Sequence, residues 1–121
     1  MTTTDKTGAP TTVTDNPELQ RFEIGLDPEG TVGFALYRDR DDAEAGSQRI
    51  FFHTEVDEAY GGRGLGTILV RGSIDATRAA GRRIVPVCPL FAAYVGKHDD
   101  VTDIVDQPDV HIMRYLREHA G

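Results

Sequence analysis

The sequence has little of several residue types that would define a functional class. Its 121 residues include one cysteine and no tryptophan. One cysteine excludes an internal disulfide, and the cysteine and histidine residues are too scattered for a structural zinc site. No hydrophobic run approaches the roughly 20 residues of a membrane-spanning helix. We therefore expect no metal site and no membrane insertion, and the cytoplasm is the expected compartment.

Positive charge is also scarce. The chain has 13 lysine and arginine residues against 20 aspartate and glutamate residues, and its formal net charge is −7. Non-specific binding to nucleic acid needs a basic face, so this charge argues against a nucleic-acid partner. An acidic exterior either attracts a cationic amine or only keeps the protein in solution.

The length predicts one domain with a single core, and it does not predict an oligomeric state. The N-terminal segment differs in composition from the rest, because seven of the first 16 residues are threonine and none is aromatic. Pro10 and Pro17 interrupt any regular pattern there. We predict that Met1 to Asn16 is a disordered leader and that residues 17–121 form the domain.

The remaining pattern predicts a mixed α/β (α+β) fold that begins with strands. Strand-like runs cover Leu19–Leu26, Thr31–Arg38 and Arg49–Val56, and we expect them to form an antiparallel meander. The charged segment Asp39–Ser47 is predicted to be a loop between the second and third strands.

A βαβ unit is predicted after the meander. Apolar residues recur at helical spacing from Gly64 to Ala80, which indicates a crossover helix. The run Arg83–Cys88 reads as a strand, and we expect it to lie parallel to Arg49–Val56 in a right-handed unit.

Two further helices are predicted. Pro89 suits the first turn of a short helix. A final helix over Asp109–His119 places Val110, Met113 and Leu116 on one side, and it is expected to cover an edge of the sheet or to contact a partner. The aspartates between the two helices are predicted to form a solvated surface.

The most informative stretch is the loop between the third strand and the crossover helix. Gly61-Gly62-Arg63-Gly64-Leu65-Gly66 contains four glycines in six residues. Amides without neighbouring Cβ atoms can curl around phosphate oxygens, and the start of the next helix adds positive potential. The spacing matches no dinucleotide fingerprint, and Thr67 stands where a P-loop has lysine. The loop alone leaves phosphate binding and a flexible turn as open alternatives.

Motifs on both sides of this loop resemble a known family. His53-Thr54-Glu55-Val56 precedes the loop, and Pro86-Val87-Cys88-Pro89-Leu90-Phe91-Ala92-Ala93-Tyr94-Val95-Gly96-Lys97-His98 follows the crossover helix. Together with the glycines, these motifs resemble the short, single-domain branch of the GNAT (N-acetyltransferase) superfamily. The superfamily usually has glutamine or arginine where this chain has Gly61. The branch tends to continue with Pro-Glu-Tyr where this chain has Asp99-Asp100-Val101.

The resemblance implies a minimal GNAT-like fold with a splayed parallel strand pair, and acetyl-CoA-dependent acyl transfer to an unidentified amine. The loop amides would hold the pyrophosphate, and main-chain groups near the end of the third strand would bind the pantetheine. The implied acetyl-CoA-binding residues are Glu55, Val56, Gly61, Gly62, Arg63, Gly64, Leu65, Gly66 and Thr67. The alternatives are a non-catalytic acyl-CoA-binding module and an interaction protein that uses its terminal helix.

Two residues of the downstream motif are candidates for catalysis. The resemblance implies that Tyr94 meets the departing thiolate, to which a phenol can donate a proton; packing in the core is the alternative. Cys88 stands where a strand ends and a helix begins, a setting that can lower the pKa of a thiol. It either accepts the acyl group, lines the acyl pocket or is an inert buried residue.

Two residues of the upstream motif are candidate bases for the amine. His53 and Glu55 are two positions apart on a strand, so we expect them to share one face of the sheet. By the same alternation, His53 is expected to face away from Phe52 and Thr54. A structural, hydrogen-bonded histidine is the alternative reading of His53.

Overall fold

The computed structural model describes residues 2–120 and contains one sheet with helices on both of its faces. The strands are β1 (Thr2–Thr4), β2 (Pro10–Asn16), β3 (Arg21–Leu26), β4 (Gly30–Asp42), β5 (Gly46–Val56) and β6 (Arg83–Pro86). The helices are α1 (Leu65–Ala79), α2 (Pro89–Lys97) and α3 (Val110–His119), with short 3-10 helices over Glu58–Tyr60 and Asp99–Ile104. Among the described residues, no helix has both the length and the apolar character needed to cross a bilayer.

The strands lie side by side in the order in which they occur in the chain. β1 to β5 form an antiparallel meander, and β6 pairs with β5 in parallel. A parallel neighbour requires a crossover connection, which α1 provides. The predicted three-strand meander, which corresponds to β3, β4 and β5, is therefore confirmed, as are the βαβ unit and the C-terminal helix.

Two apolar cores lie on opposite faces of the sheet. The larger core lies under α1 and α2, and at its centre the rings of Phe51 and Phe91 stack with centroids 4.2 Å apart. The smaller core lies under α3, where Ile112 and Leu116 pack against Ile50. Ile50 and Phe51 are both fully buried although they point to opposite faces, because helices cover the sheet on both sides there.

β4 and β5 are longer than the pattern predicted. The expected loop over Asp39–Ser47 is instead the end of a long hairpin, in which Asp39 pairs with Arg49 and Arg40 with Gln48. The Arg49 Nε atom lies 2.8 Å from the Asp39 carboxylate. Opposite charges that face each other across two strands stabilise the pairing, so this polar segment keeps strand geometry.

The prediction of a disordered leader over Met1–Asn16 is wrong for its described residues, which exclude Met1. β2 pairs with β3 along its length. Thr11 is buried, and Val13 packs so closely on α1 that only glycine fits opposite it, at Gly72. The composition was misleading because threonine, although polar, is β-branched and favours strands.

α3 covers the sheet face opposite α1, but with a different side from the one predicted. Its buried residues are Ile112 and Leu116, whereas Val110 and Met113 are exposed. Residues four apart lie on the same face of a helix, so both buried side chains reach the sheet. The Tyr115 hydroxyl donates a hydrogen bond of 2.6 Å to a carbonyl of β4.

The aspartates before α3 are only partly the solvated surface that was predicted. Asp103 forms an ion pair of 2.8 Å with Arg78 of α1, and the hydrogen bonds from that arginine lower the pKa of Asp103. Asp106 pairs with Arg83 of β6 at 2.8 Å and accepts a hydrogen bond from Gln48 of β5. These contacts tie the segment between α2 and α3 to the βαβ unit.

Gly72→Ala is expected to destabilise the protein, because β2 leaves no room for a methyl group on α1. A Cβ atom at position 72 would lie 2.9 Å from three atoms of the Val13 side chain. We expect the free energy of unfolding to fall by about 1–3 kcal/mol, the usual cost of overpacking, although alanine favours helices more than glycine does. Urea denaturation measures the change.

Gly96→Ala in α2 is the matched control. Apart from its chain neighbours and the backbone of its own helix, no atom lies within 4 Å of a Cβ built at position 96, and its φ is not positive. This variant should be unchanged or more stable by up to about 1 kcal/mol. Equal effects of the two substitutions would show that β2 does not pack on α1 in solution.

Candidate functional site

The glycine loop makes a sharp turn before α1. Gly62 and Gly64 have φ values of +78° and +80°, in the left-handed region that favours glycine. Gly64 immediately precedes α1, whose first turn contains no acidic side chain. The first amides of a helix have no partner within the helix, and the helix dipole adds partial positive charge there. The loop therefore presents main-chain donors suited to an anion.

Arg63 is the charged side chain of this loop. Its guanidinium lies over the ring of Tyr60, 5.4 Å from the centroid. Its Nε atom lies 3.5 Å from a carboxylate oxygen of Asp5, in the turn between β1 and β2. Because an acid compensates this arginine, the positive character of the loop comes largely from the main chain.

β5 and β6 separate next to the loop. Their parallel register ends where Phe51 pairs with Pro86. The Phe51 carbonyl then accepts hydrogen bonds from the amides of both Val87 (3.0 Å) and Cys88 (2.8 Å) as the chain leaves the sheet for α2. Beyond this point β5 continues to Val56 beside β4, and the described residues place no strand on its other edge. The splayed parallel pair is confirmed, and its open edge can pair with an extended ligand.

An open cleft of about 660 Å³ lies at the same end of the sheet. Its walls are the start of β4, the end of β5 and the turn that follows: Thr31, Val32, Gly33, Phe34, Thr54, Glu55, Val56, Asp57 and Glu58. Three of these residues are acids, and their charge makes the cleft attractive to cations.

Cys88 lies at the point where the two strands separate. Its side chain is 5 % exposed, and its Sγ atom lies 3.3 Å from the Thr54 hydroxyl, where either atom can donate. Within the described residues, neither an imidazole nor a carboxylate forms a hydrogen bond with the thiol. A nucleophilic cysteine forms its thiolate beside such a group, beside a cation or at the start of a helix, and Cys88 has the last of these settings, because it is the residue that precedes α2.

His53 and Glu55 lie together at the open end of β5. The Nε2 atom of His53 is 3.2 Å from the Oε1 atom of Glu55, and both side chains are at least half exposed. The imidazole also contacts the ring of Phe34, with centroids 6.3 Å apart. The two candidate bases therefore share one face of the strand, as predicted.

A β-bulge in β5 determines on which face of the sheet His53 and Glu55 lie. Tyr37 of β4 pairs with Phe51, and its neighbour Leu36 pairs with His53, so Phe52 is an extra residue on β5. Such an insertion interrupts the alternation of side chains along the strand.

The bulge places Phe52 and His53 on the same side of the sheet. Phe52 packs against the core under α3, and Thr54 turns to the opposite face to meet Cys88. The prediction that His53 faces away from Thr54 is correct, and the prediction that it faces away from Phe52 is wrong. The error arises because the pairing with β4, rather than the pattern of β5, sets the bulge.

Tyr94 lies in a smaller cleft of about 130 Å³ between α1 and α2. Its ring stacks on His98 with centroids 4.0 Å apart. Burial raises the pKa of Tyr94 above its ordinary value, so the phenol keeps its proton at neutral pH. The lining residues are Thr67, Val70, Leu90, Ala93, Tyr94, Lys97 and His98.

The predicted residues thus form separate groups around one end of the sheet. Cys88 marks the strand separation, Tyr94 shares its cleft with Thr67 of the glycine-loop region, and His53 pairs with Glu55 on the opposite face. Thr54 received no role from the sequence, although it belongs to the upstream motif. In residues 2–120, no three His, Cys, Asp or Glu side chains are grouped to hold a metal ion.

This architecture defines a class of protein. A meander, a glycine loop before the crossover helix and a parallel pair that separates beside it are the elements of a GNAT-type acyltransferase domain. The family model for the GCN5-related N-acetyl-transferases matches residues 21–104. The chain therefore belongs to the GCN5-related N-acetyltransferase family.

A solved structure has the same fold. A GCN5-like protein from Staphylococcus aureus, determined by NMR in solution, is 22% identical and has a TM-score of 0.57; the match covers 83% of this chain and 92% of that one. A ribosomal-protein-alanine N-acetyltransferase from Brucella melitensis is 16% identical with a TM-score of 0.46, covering 84% and 62% of the two chains. No curated protein matches the sequence.

Burial of Cys88 predicts slow reaction with thiol reagents in the native state. Cys88 is 5 % exposed and its thiol is hydrogen-bonded to Thr54, so labelling requires local opening of the structure. We expect labelling by a chromogenic disulfide to be about 10²-fold or more slower than in urea-unfolded protein. Absorbance of the released thiolate measures the rate. Labelling at the rate of an unfolded thiol would contradict the burial.

Proposed function

We propose that this protein binds acetyl-CoA and transfers its acetyl group to an amine. The observation that carries the proposal is the open edge of β5 beside the amide-rich loop. Acetyl-CoA has a pyrophosphate, which suits the amides of residues 61–67, and a pantetheine chain with two amide groups, which suits a free strand edge near Glu55 and Val56. The thioester would then lie near the strand separation at Cys88.

The reaction requires few groups. The amine nitrogen attacks the thioester carbonyl carbon, the carbon–sulfur bond breaks, and the sulfur leaves as a thiolate. A proton must leave the amine and another must reach the sulfur. We assign the second proton to the Tyr94 phenol, whose raised pKa keeps it protonated. His53 and Glu55 are the candidates to accept the first, directly or through water.

We infer that transfer is direct and that Cys88 lines the acyl pocket. Its hydrogen-bond partner is the Thr54 hydroxyl, which does not act as a base for a thiol. A covalent acetyl-cysteine intermediate would require a base close to the sulfur to take the proton of the thiol, and the start of α2 does not supply one.

The acceptor is inferred to be a cationic amine that enters through the larger cleft. Glu55, Asp57 and Glu58 line that cleft, and carboxylates raise the local concentration of cations. Because the lone cysteine is a free thiol, a reducing compartment suits the protein, and we place the activity in the cytoplasm.

Gly64→Glu is expected to abolish binding of acetyl-CoA. The wild type should gain thermal stability from acetyl-CoA but not from adenosine or acetate, because a ligand that binds only the native state stabilises it. Glutamate at position 64 places a carboxylate at the anion site and strains a backbone with φ of +80°. Differential scanning fluorimetry with and without ligand measures the shift in Tm.

Gly81→Glu is the matched control for this variant. Gly81 has φ of +74°, so the substitution carries similar strain, but it lies beyond the opposite end of α1. It should lower Tm and keep the shift caused by acetyl-CoA. A Gly64→Glu protein that still shows the full shift would rule out phosphate binding at the loop.

Tyr94→Phe is expected to lower kcat about 10²-fold, the usual scale for a lost general acid, with little change in affinity for acetyl-CoA. Thiol release with a panel of amines, followed by mass spectrometry of the products, measures the rate and identifies the acceptor. Cys88→Ala should keep most of the activity, with no acetylated cysteine in the wild type.

Tyr115→Phe is the control for loss of a phenol, because that hydroxyl bonds to β4 on the other face of the sheet. It should reduce Tm and leave kcat unchanged. An active Tyr94→Phe with an inactive Cys88→Ala would favour a covalent intermediate instead. Binding of acetyl-CoA without turnover of any amine would support the non-catalytic binding module.

A further inference from the structure

The turn between β1 and β2 lies against the glycine loop. The Lys6 amide donates a hydrogen bond of 2.9 Å to the Arg63 carbonyl, and the Arg63 Nε atom lies 3.5 Å from the Asp5 carboxylate. β1 and β2 both precede residue 21, where the match to the family model begins. The N-terminal hairpin thus brings side chains to a loop that consists largely of glycine.

Asp5 holds this turn in place. Its Oδ1 atom accepts hydrogen bonds from the Thr7 amide, the Thr7 hydroxyl and the Ala9 amide, at 2.8, 2.7 and 2.9 Å. The bond from the Thr7 hydroxyl is the largest cause that lowers the pKa of Asp5, so the buried carboxyl is ionised at neutral pH. Its Oδ2 atom accepts no hydrogen bond from the described residues and faces Arg63. The charge of Arg63 is therefore compensated within the protein.

Lys6 crosses the loop at the start of α1. A Cβ atom built on Gly64 would lie 3.3 Å from Cε of Lys6 and 3.5 Å from its Cγ. The methylene stem therefore lies over the residue that precedes the first free helical amides. Lys6 is exposed, and no ion pair among the described residues includes it.

We propose that Lys6 is a phosphate-binding residue of the acyl-CoA site, a proposal that rests on the proposed function. The loop amides supply dipoles but no net charge, and Asp5 compensates Arg63. The pyrophosphate of acetyl-CoA is anionic, and the protein as a whole carries a charge of −7. The Lys6 ammonium supplies the uncompensated positive charge at this place, and its hydrogen bond to a phosphate oxygen is charge-assisted.

Lys6→Gln tests the proposal, because glutamine keeps part of the stem and removes the charge. Isothermal titration with acetyl-CoA should give a Kd about 10-fold higher than that of the wild type, the effect of one charge-assisted hydrogen bond. Lys6→Arg should keep the Kd within about 3-fold. Arg117→Gln, an equal loss of charge at an exposed position in α3, should leave the Kd unchanged.

S-acetylpantetheine, which lacks the pyrophosphate, is the control ligand. Its Kd should be the same for the wild type and for Lys6→Gln. An unchanged or lower Kd of Lys6→Gln for acetyl-CoA would overturn the proposal and leave the proposed function standing. An equal loss of affinity for both ligands would also overturn it, because the substitution would then act by changing the shape of the loop and not by removing a contact to phosphate. A wild type without affinity for acetyl-CoA would overturn the proposed function itself.

Discussion

The early end of the pairing between β5 and β6 is the constraint on which the site depends. Phe51 and Pro86 are the last residues that the two strands pair. The Phe51 carbonyl takes the next two amides, so the chain leaves the sheet without unpaired donors. Stacking of Phe91 on Phe51 then holds α2 directly beyond the separation. As a result, β5 is a central strand of the sheet along its first half and an open edge along its second half.

The other half of the site depends on α1, and two glycines determine how the chain enters this helix and how closely β2 packs on it. Gly64 lets the chain enter the helix in a left-handed conformation, and Gly72 lets β2 approach the middle of the helix. The first effect exposes main-chain amides, and the second brings the N-terminal hairpin over them. The hairpin in turn compensates Arg63 through Asp5. Backbone conformation and packing against β2 therefore shape the surface of the glycine loop from two sides.

Acidic residues have two different roles in this chain. Asp103 and Asp106 pair with arginines of α1 and β6 and anchor the segment before α3. Glu55, with two acids of the following turn, instead lines the open cleft. Composition reports only the sum of these charges, so the anchoring pairs could not be distinguished from a solvated surface. The distinction requires knowing which elements lie next to each other.

The sequence by itself determined the meander, the crossover unit and the glycine loop, because strand and helix periodicities and glycine spacing are local properties. It also placed Cys88 at a strand end and His53 beside Glu55 on one face. The tertiary structure alone decided that the threonine-rich start is a strand, since its pairing with β3 and its fit to Gly72 are non-local. The tertiary structure alone also decided the bulge at Phe52, because Phe52 is an extra residue only when β5 is paired with β4.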